Sequence, residues 1–338
     1  MEAENNGRKL NLVVDMYGCP NRCLHCWLGH MPNRRMEADA DRFIVDFFDP
    51  YFDQIAYYSW LREPDFCDDY EDRWKKDLQI SKNAIPERFE LASFYRIVRD
   101  ERYIPFLRSV GVKKVQLSFF GLKDTQDCYV GRKGAYEEIL KATDLLIEGG
   151  IIPRWQCFIN EENKDEIVEI WHMAQKLRQE RCPQLEFFVH GGTCEGENRR
   201  LYPIRIRKKD IPAELTPVFL DYDELLEERE CLKRLGEDPC IDLFPIGEEI
   251  TRNISNTCDV YYNFTNMSPP WIIGNLKEDE PEELVRKIVL GDTHALNRIR
   301  ECSWSELGEK YGDDSSEKAF ELDDYRIYLV NSELERDL

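Results

Sequence analysis

The chain has 338 residues, 42% of them hydrophobic and 12% aromatic, enough to bury a sizeable core in one large domain or in a core domain with an appendage. Its 67 acidic residues against 46 basic ones leave a net charge of −21, a field that repels polyanions and argues against a nucleic-acid partner. No apolar run reaches the length of a membrane span and the N-terminus has no secretory pattern, so the expectation is a cytoplasmic protein with no membrane partner.

Twelve cysteines in such a chain argue for a reducing compartment and metal chemistry over a disulfide framework. An apolar run over 10–15 predicts a first strand that feeds a loop carrying Cys19, Cys23 and Cys26, spaced C-x3-C-x2-C, with His25 just before the third. Three thiolates this close can occupy three corners of one soft metal centre, as an iron-sulfur cluster asks of its ligands, and they leave the fourth corner open. Two other readings fit the residues: a three-cysteine zinc site completed by His25 or His30, or three reduced structural thiols. Zinc sites more often use paired C-x2-C spacings separated by a longer loop.

Further along, residues 37–49 predict an amphipathic helix ended by Pro50, and 55–60 a second strand leading into Leu61-Arg62-Glu63-Pro64. A third strand is expected over 87–93, a helix over 94–109 stopping at Gly111, and a fourth strand over 112–121. Helical periodicity runs through 131–150 to the Gly149-Gly150 stop, followed by a fifth strand over 151–159, a helix near 164–180 and a sixth strand over 185–190. This alternation argues for an α/β fold with parallel strands and helical crossovers, either a barrel or an open sheet. In both, chemistry collects at the C-terminal strand ends, a rule that would bring Cys19, Glu63, Ser93, Ser118, Arg154 and His190 to one mouth.

The pattern changes beyond residue 192. The stretch 199–209 alternates Ile and Arg and predicts a half-exposed basic strand, or a patch for an acidic partner or electron donor. An acidic helix near 221–235, a turn and strand over 256–263 and a helix starting near Pro281 follow; a solvated linker over 311–318 precedes a last strand at 325–330.

The cysteine loop after a first short strand resembles the signature of the radical S-adenosylmethionine (radical SAM) enzymes. The resemblance implies a partial (β/α)6 TIM-like barrel over 8–195, with a 4Fe-4S cluster on Cys19, Cys23 and Cys26 whose fourth iron is chelated by S-adenosylmethionine. Glu63-Pro64 matches the second half of the family's Gly-Gly-Glu-Pro turn, which implies Glu63 as acceptor of the cofactor's amino group; Leu61-Arg62 replaces both glycines. Ser118, with Gly121 three residues on, resembles the family's ribose contact. Ser93, Arg132, Arg154 and His25 complete the expected cofactor surroundings, the two arginines as bidentate partners for the carboxylate.

Residues 271–284 resemble the end of a SPASM or Twitch extension, in which a Gly-Asn-Leu element precedes an acidic helix. Such extensions bind auxiliary clusters through grouped cysteines, whereas Cys231, Cys240, Cys258 and Cys302 are isolated, so a small α+β extension over 196–338 without an auxiliary cluster is expected. The activity implied is reductive cleavage of S-adenosylmethionine to a 5'-deoxyadenosyl radical that abstracts hydrogen from a small-molecule or peptide substrate. A reducing donor such as a flavodoxin or ferredoxin would supply the electron, and Cys157, Tyr17 and Cys194 are candidate final hydrogen donors. The alternative is a non-catalytic iron-sulfur redox sensor or electron carrier.

Overall fold

The computed structural model describes residues 8–37, 39–88, 90–237, 247–262 and 266–336. Among them the strands are, in chain order, β1 (Lys9–Val14), β2 (Gln54–Tyr58), β3 (Lys114–Phe119), β4 (Ile152–Phe158), β5 (Glu186–His190), β6 (Leu226–Glu227), β7 (Glu249–Ile254), β8 (Asp259–Tyr262), β9 (Ile272–Asn275) and β10 (Ala319–Phe320). They fall into two compact units, neither continuous in sequence. The first takes the described residues within Met1–Pro20, Met31–Glu87 and Cys240–Ser303, the second those within Asn21–His30, Arg88–Pro239 and Trp304–Leu338.

The first unit is built on a five-stranded sheet in the order β2-β1-β7-β8-β9. β1 is parallel to both β2 and β7, while β7, β8 and β9 run antiparallel. Leu10, Leu12 and Val14 alternate along β1 with no exposed surface, the period-2 signature of a packed face. The helix Ala40–Phe48 follows β1, shorter than the predicted 37–49, and Tyr70–Ile80 follows β2. Arg73 on the latter bridges Asp41 at 2.5 Å and Asp77 at 2.6 Å, all three buried, and Asp77 also accepts from the N and Oγ of Ser59 just past β2. Every charge in this group therefore has a partner, which burial demands. The helix Pro281–Leu290 starts at the expected proline, buries Leu284, Val285, Ile288 and Val289, and ends at Gly291 with φ 61°.

The second unit holds the parallel sheet β3-β4-β5. Helices Lys123–Val130 and Ala135–Glu148 connect β3 to β4, and Lys164–Glu180 connects β4 to β5, the crossovers that parallel pairing requires. One face of this sheet, Val115, Leu117, Phe119, Trp155, Cys157 and Val189, is buried, and Trp155 Nε1 donates to Thr143 Oγ1 at 3.1 Å on a crossover helix.

The α/β class and its parallel strands thus match the expectation, while several elements differ. The described residues of 87–93 form no strand: Glu90 O accepts from Gln116 N at 2.8 Å, and Ser93 begins the short helix Phe94–Ile97. The helix expected over 94–109 is broken and resumes as Tyr103–Ser109, because Pro105 has no N–H to donate and its ring would clash with the carbonyl of residue 101 in a continuous helix. The basic stretch 199–209 is no strand but 3-10 turns over Gly196–Ile204 and Lys208–Asp210, interrupted by Pro203. Several of its charges hold a carboxylate, Arg199 with Glu335 at 2.7 Å, Arg200 with Glu197 at 2.9 Å, Arg207 with Asp210 and Lys209 with Glu317. The acidic helix spans Glu228–Gly236, and the strand expected at 325–330 is instead part of the helix Leu322–Leu334. Cys240 and Asn263 lie outside the described residues.

Candidate functional site

In the first unit, β1 delivers the chain to Asp15, whose carboxylate is buried and pairs with Arg62 through Nε–Oδ1 at 2.9 Å and Nη2–Oδ2 at 2.7 Å. Arg62 also donates to the carbonyls of Met31 at 2.9 Å and Pro32 at 3.2 Å. The residue that replaces a family glycine thus ties the end of β1 to the far limb of the cysteine loop, in the forked geometry suited to guanidinium. Positive φ in this turn falls on Asp65, at 54°, and not on Leu61 or Arg62, so the missing glycines cost no strain at those positions. Asn33 clasps Cys19 from both sides, accepting from its N at 3.1 Å and donating to its O at 2.6 Å. Cys19 Sγ lies 3.9 Å from Glu63 Oε2.

In the second unit, Arg22 N donates to Val130 O at 3.0 Å and Leu24 N to Tyr129 O at 2.8 Å. Cys23 Sγ lies 3.8 Å from Val130 O, and Cys26 Sγ 3.6 Å from Gly29 O. His25 packs its ring 3.7 Å from that of Phe120 and 5.0 Å from that of Phe158. Burial, with His190 adding to it, pulls the imidazole down to about 3, so it is neutral in the ordinary pH range, and its Nδ1 is sealed without a hydrogen-bond partner. A small cavity opens here, lined by His25, Phe120, Tyr129, Phe158, Asn198 and Arg205 among others.

The second face of the β3-β4-β5 sheet is polar. Gln116 and Ser118 on β3 stand in register with Arg154 and Gln156 on β4, and these with Glu186 and Phe188 on β5. Gln116 bonds Gln156, whose amide stands 2.7 Å from His190 Nε2, while Gly192 N donates to His190 Nδ1 at 3.3 Å. A backbone N–H can only donate, so Nδ1 accepts and Nε2 carries the proton; for that proton to be accepted, the Gln156 amide, whose nitrogen stands toward the ring and whose oxygen stands toward Gln116, must be turned over, and the Gln116 amide with it. Burial and the nearby Arg205 pull His190 down to about 4. Arg154 Nη1 pairs with Glu90 at 2.6 Å and Arg132 Nη1 with Glu138 at 2.5 Å, so both arginines already hold a carboxylate; Arg132 Nη2 is sealed without a partner.

Not every expected residue joins this face. Ser93 is buried and its hydroxyl caps Phe94–Ile97, accepting from Arg96 N at 3.1 Å. Cys157 lies on the opposite, buried face of β4, and burial pushes its thiol well above the usual range. Cys194 is buried with Arg205 Nη1 donating to its Sγ at 3.3 Å, and Tyr17, half-buried in the first unit, is pushed up to about 12, chiefly by burial. Residue-by-residue reading missed Gln116, Gln156 and Asn163. The alternation of β3 and β4 was the available signal for the two glutamines. Asn163 Nδ2 joins Phe120 O at 2.7 Å to Phe158 O at 2.8 Å, tying together the chain just past β3 and the last residue of β4, a role that no local pattern announces.

Cys19 belongs to the first unit and Cys23 and Cys26 to the second. Each is a half-exposed thiol outside any disulfide, a donor type suited to iron and sulfide. Among the described residues no group of three His, Cys, Asp or Glu side chains is arranged to hold a metal ion, in the loop or around Cys231, Cys258 and Cys302. The donor chemistry fits a cluster.

The backbone aligns along nearly its whole length with solved structures of anSMEcpe. With S-adenosylmethionine and the Kp18Cys peptide bound, that protein matches at a TM-score of 0.56 and 13% identity, over 97% of this chain and 99% of the other. With S-adenosylmethionine alone it matches at 0.55 and 14%, over 97% of each. The chain shares the fold of that S-adenosylmethionine-bound protein. No protein-family model matches the chain, and no curated protein matches it by sequence. SuiB of Streptococcus suis, bound to S-adenosylmethionine, aligns at a TM-score of only 0.42 and 12% identity, over 90% of this chain and 74% of the other.

Proposed function

We propose that this protein is a radical SAM enzyme acting on a peptide or small-molecule substrate, with Cys19, Cys23 and Cys26 as ligands of a 4Fe-4S cluster. One observation carries the reading: a C-x3-C-x2-C loop directly follows the first strand of a chain that has this fold from end to end. When bound, the cluster and S-adenosylmethionine supply one-electron cleavage of the sulfonium and a 5'-deoxyadenosyl radical. The chain's own residues bind and orient. Glu63 accepts the amino group of S-adenosylmethionine, and Arg132 or Arg154 meets its carboxylate by sharing or releasing Glu138 or Glu90. Ser118 faces the ribose. Neutral His25 and the rings of Phe120, Tyr129 and Phe158 offer an apolar, stacking wall for adenine. Ser93 acts through its cap.

The peptide reading draws on the Kp18Cys peptide seen with anSMEcpe. The partial (β/α)6 barrel over 8–195, the SPASM-like extension over 196–338 without an auxiliary cluster, a cytoplasmic setting and a flavodoxin or ferredoxin donor belong to the same reading.

Electron paramagnetic resonance of the anaerobically reconstituted, dithionite-reduced protein tests it. A reduced 4Fe-4S signal that shifts on adding S-adenosylmethionine and vanishes in Cys23→Ala is expected. Stoichiometric zinc, or a cluster indifferent to S-adenosylmethionine, would leave a scaffold or an electron carrier instead. Glu63→Ala should retain the cluster and weaken S-adenosylmethionine binding by roughly 10-fold or more, the loss of one charge-assisted hydrogen bond.

A further inference from the structure

We infer that Gly131 and Gly196 are positioning residues for the cysteine loop, their missing side chains letting two backbone segments of the second unit close on Arg22 and on Cys26-Trp27. The role assigned to this clamp rests on the cluster reading above; the clamp itself is a property of the chain.

Gly131 caps the helix Lys123–Val130 with φ 70°. A Cβ there would stand 2.5 Å from Arg22 O. The approach is what permits the bonds from Arg22 N to Val130 O and from Leu24 N to Tyr129 O, which bracket Cys23. Gly196 opens the 3-10 turn Gly196–Ile204 with φ 55°, and a Cβ there would stand 2.3 Å from Trp27 O and 2.6 Å from Cys26 O. Beside it Glu197 N donates to Cys26 O at 2.9 Å. His30 closes the loop on itself, its Nε2 lying 3.1 Å from Cys23 O and its Nδ1 3.4 Å from Glu197 Oε1.

In both places the obstacle to a side chain is backbone, which cannot swing aside as a long side chain can. Gly134 makes the comparison: its φ is 83°, yet a Cβ there meets nothing within 4 Å. Alanine at Gly134 would carry the conformational strain of a positive φ alone. Alanine at Gly131 or Gly196 would carry that strain and also push the loop off its path. Ligands held before the metal arrives lose less freedom on binding it, so the clamp favours cluster loading on Cys23 and Cys26.

Two measurements test this. Hydrogen exchange on the iron-free wild-type chain should find the amides of Leu24 and Glu197 protected; exchange of both at the rate of an unstructured loop would overturn the clamp without any variant having to fold. Gly131→Ala, Gly196→Ala and the control Gly134→Ala would then be compared for iron and sulfide per folded molecule, for the resonance line shape of the reduced cluster, and for the alkylation rate of Cys23 and Cys26 in the iron-free state. Several-fold lower iron, an altered line shape and faster alkylation in the first two only are expected. Equal loss in Gly134→Ala, or wild-type iron and alkylation in the first two, would overturn the assignment. A wild-type protein that takes up no iron at all would sink the cluster reading, leaving exchange and alkylation to decide on the clamp.

Discussion

Arg62 and Asp15 form a pair with almost no exposed surface, side chains 8% and 1% accessible, at the point where β1 hands over to the cysteine loop. Removing one member strands the other charge, so Arg62→Ala is expected to cost about 3–5 kcal/mol. Replacing both with apolar or amide residues of similar volume should cost much less, and denaturant titration of the single and double variants checks the difference. Two titrating groups of the second unit act on stability with opposite sign. His190, at about 4 against its usual 6.5, stays neutral in the folded chain where the unfolded chain takes up a proton. Its contribution is complete above pH 6.5 and drains away as pH falls toward 4, with a slope of about 1.4 kcal/mol per pH unit that His190→Gln should remove. Glu195, buried with Oε2 unpartnered, is pushed up from 4.5 to about 8, by burial first and by Asp324 and Glu335 next. The folded chain holds that proton, so stability declines as pH rises from 4.5 to 8, and Glu195→Gln should flatten the decline and raise stability at its upper end in urea denaturation.

At the level of elements, Ser93 separates a structural from a cofactor role. As the cap of Phe94–Ile97 its hydroxyl is occupied, so Ser93→Ala should lower stability by about 1 kcal/mol and leave S-adenosylmethionine affinity unchanged in calorimetry. A large affinity loss with intact stability would return it to the cofactor's surroundings. The elements legible in the sequence are those whose signal is local. The helix Lys164–Glu180 and the strands β3, β4 and β5 were each within a residue or two of their expected ranges, because periodicity and flanking turn residues mark them. Residues 325–330, rich in Tyr, Ile, Leu and Val, read locally as a strand yet lie in a helix. There Tyr325 and Leu329 are buried, Tyr325 hydroxyl donating to the buried Glu228 at 2.9 Å, and packing overrides intrinsic preference.

For the whole molecule, the pairing of β1 with β7 matters most, since Leu10 and Ile250 are neighbours across some 240 positions of chain. Both units draw residues from either side of 195 and 196. A fragment ending at 195 would lose β7, β8 and β9 from one sheet and the helices Glu228–Gly236 and Leu322–Leu334 from the other unit. It should be insoluble or unfolded, with no cooperative transition in circular dichroism; a soluble fragment that melts cooperatively would show that the first 195 residues fold alone. By itself the sequence determined the cysteine loop, the α/β alternation and the parallel strands, because thiol spacing and hydrophobic period act over a few residues and need no partner. Only the tertiary structure decided that the parallel strands stand in two sheets, that Arg62 replaces glycine without strain by reaching Asp15, that Ser93 is a cap, and that Gly131 and Gly196 close on the loop. Each of these is set by contacts between residues far apart in the chain, where the free energy comes from excluding water and pairing buried groups and leaves no short-range trace.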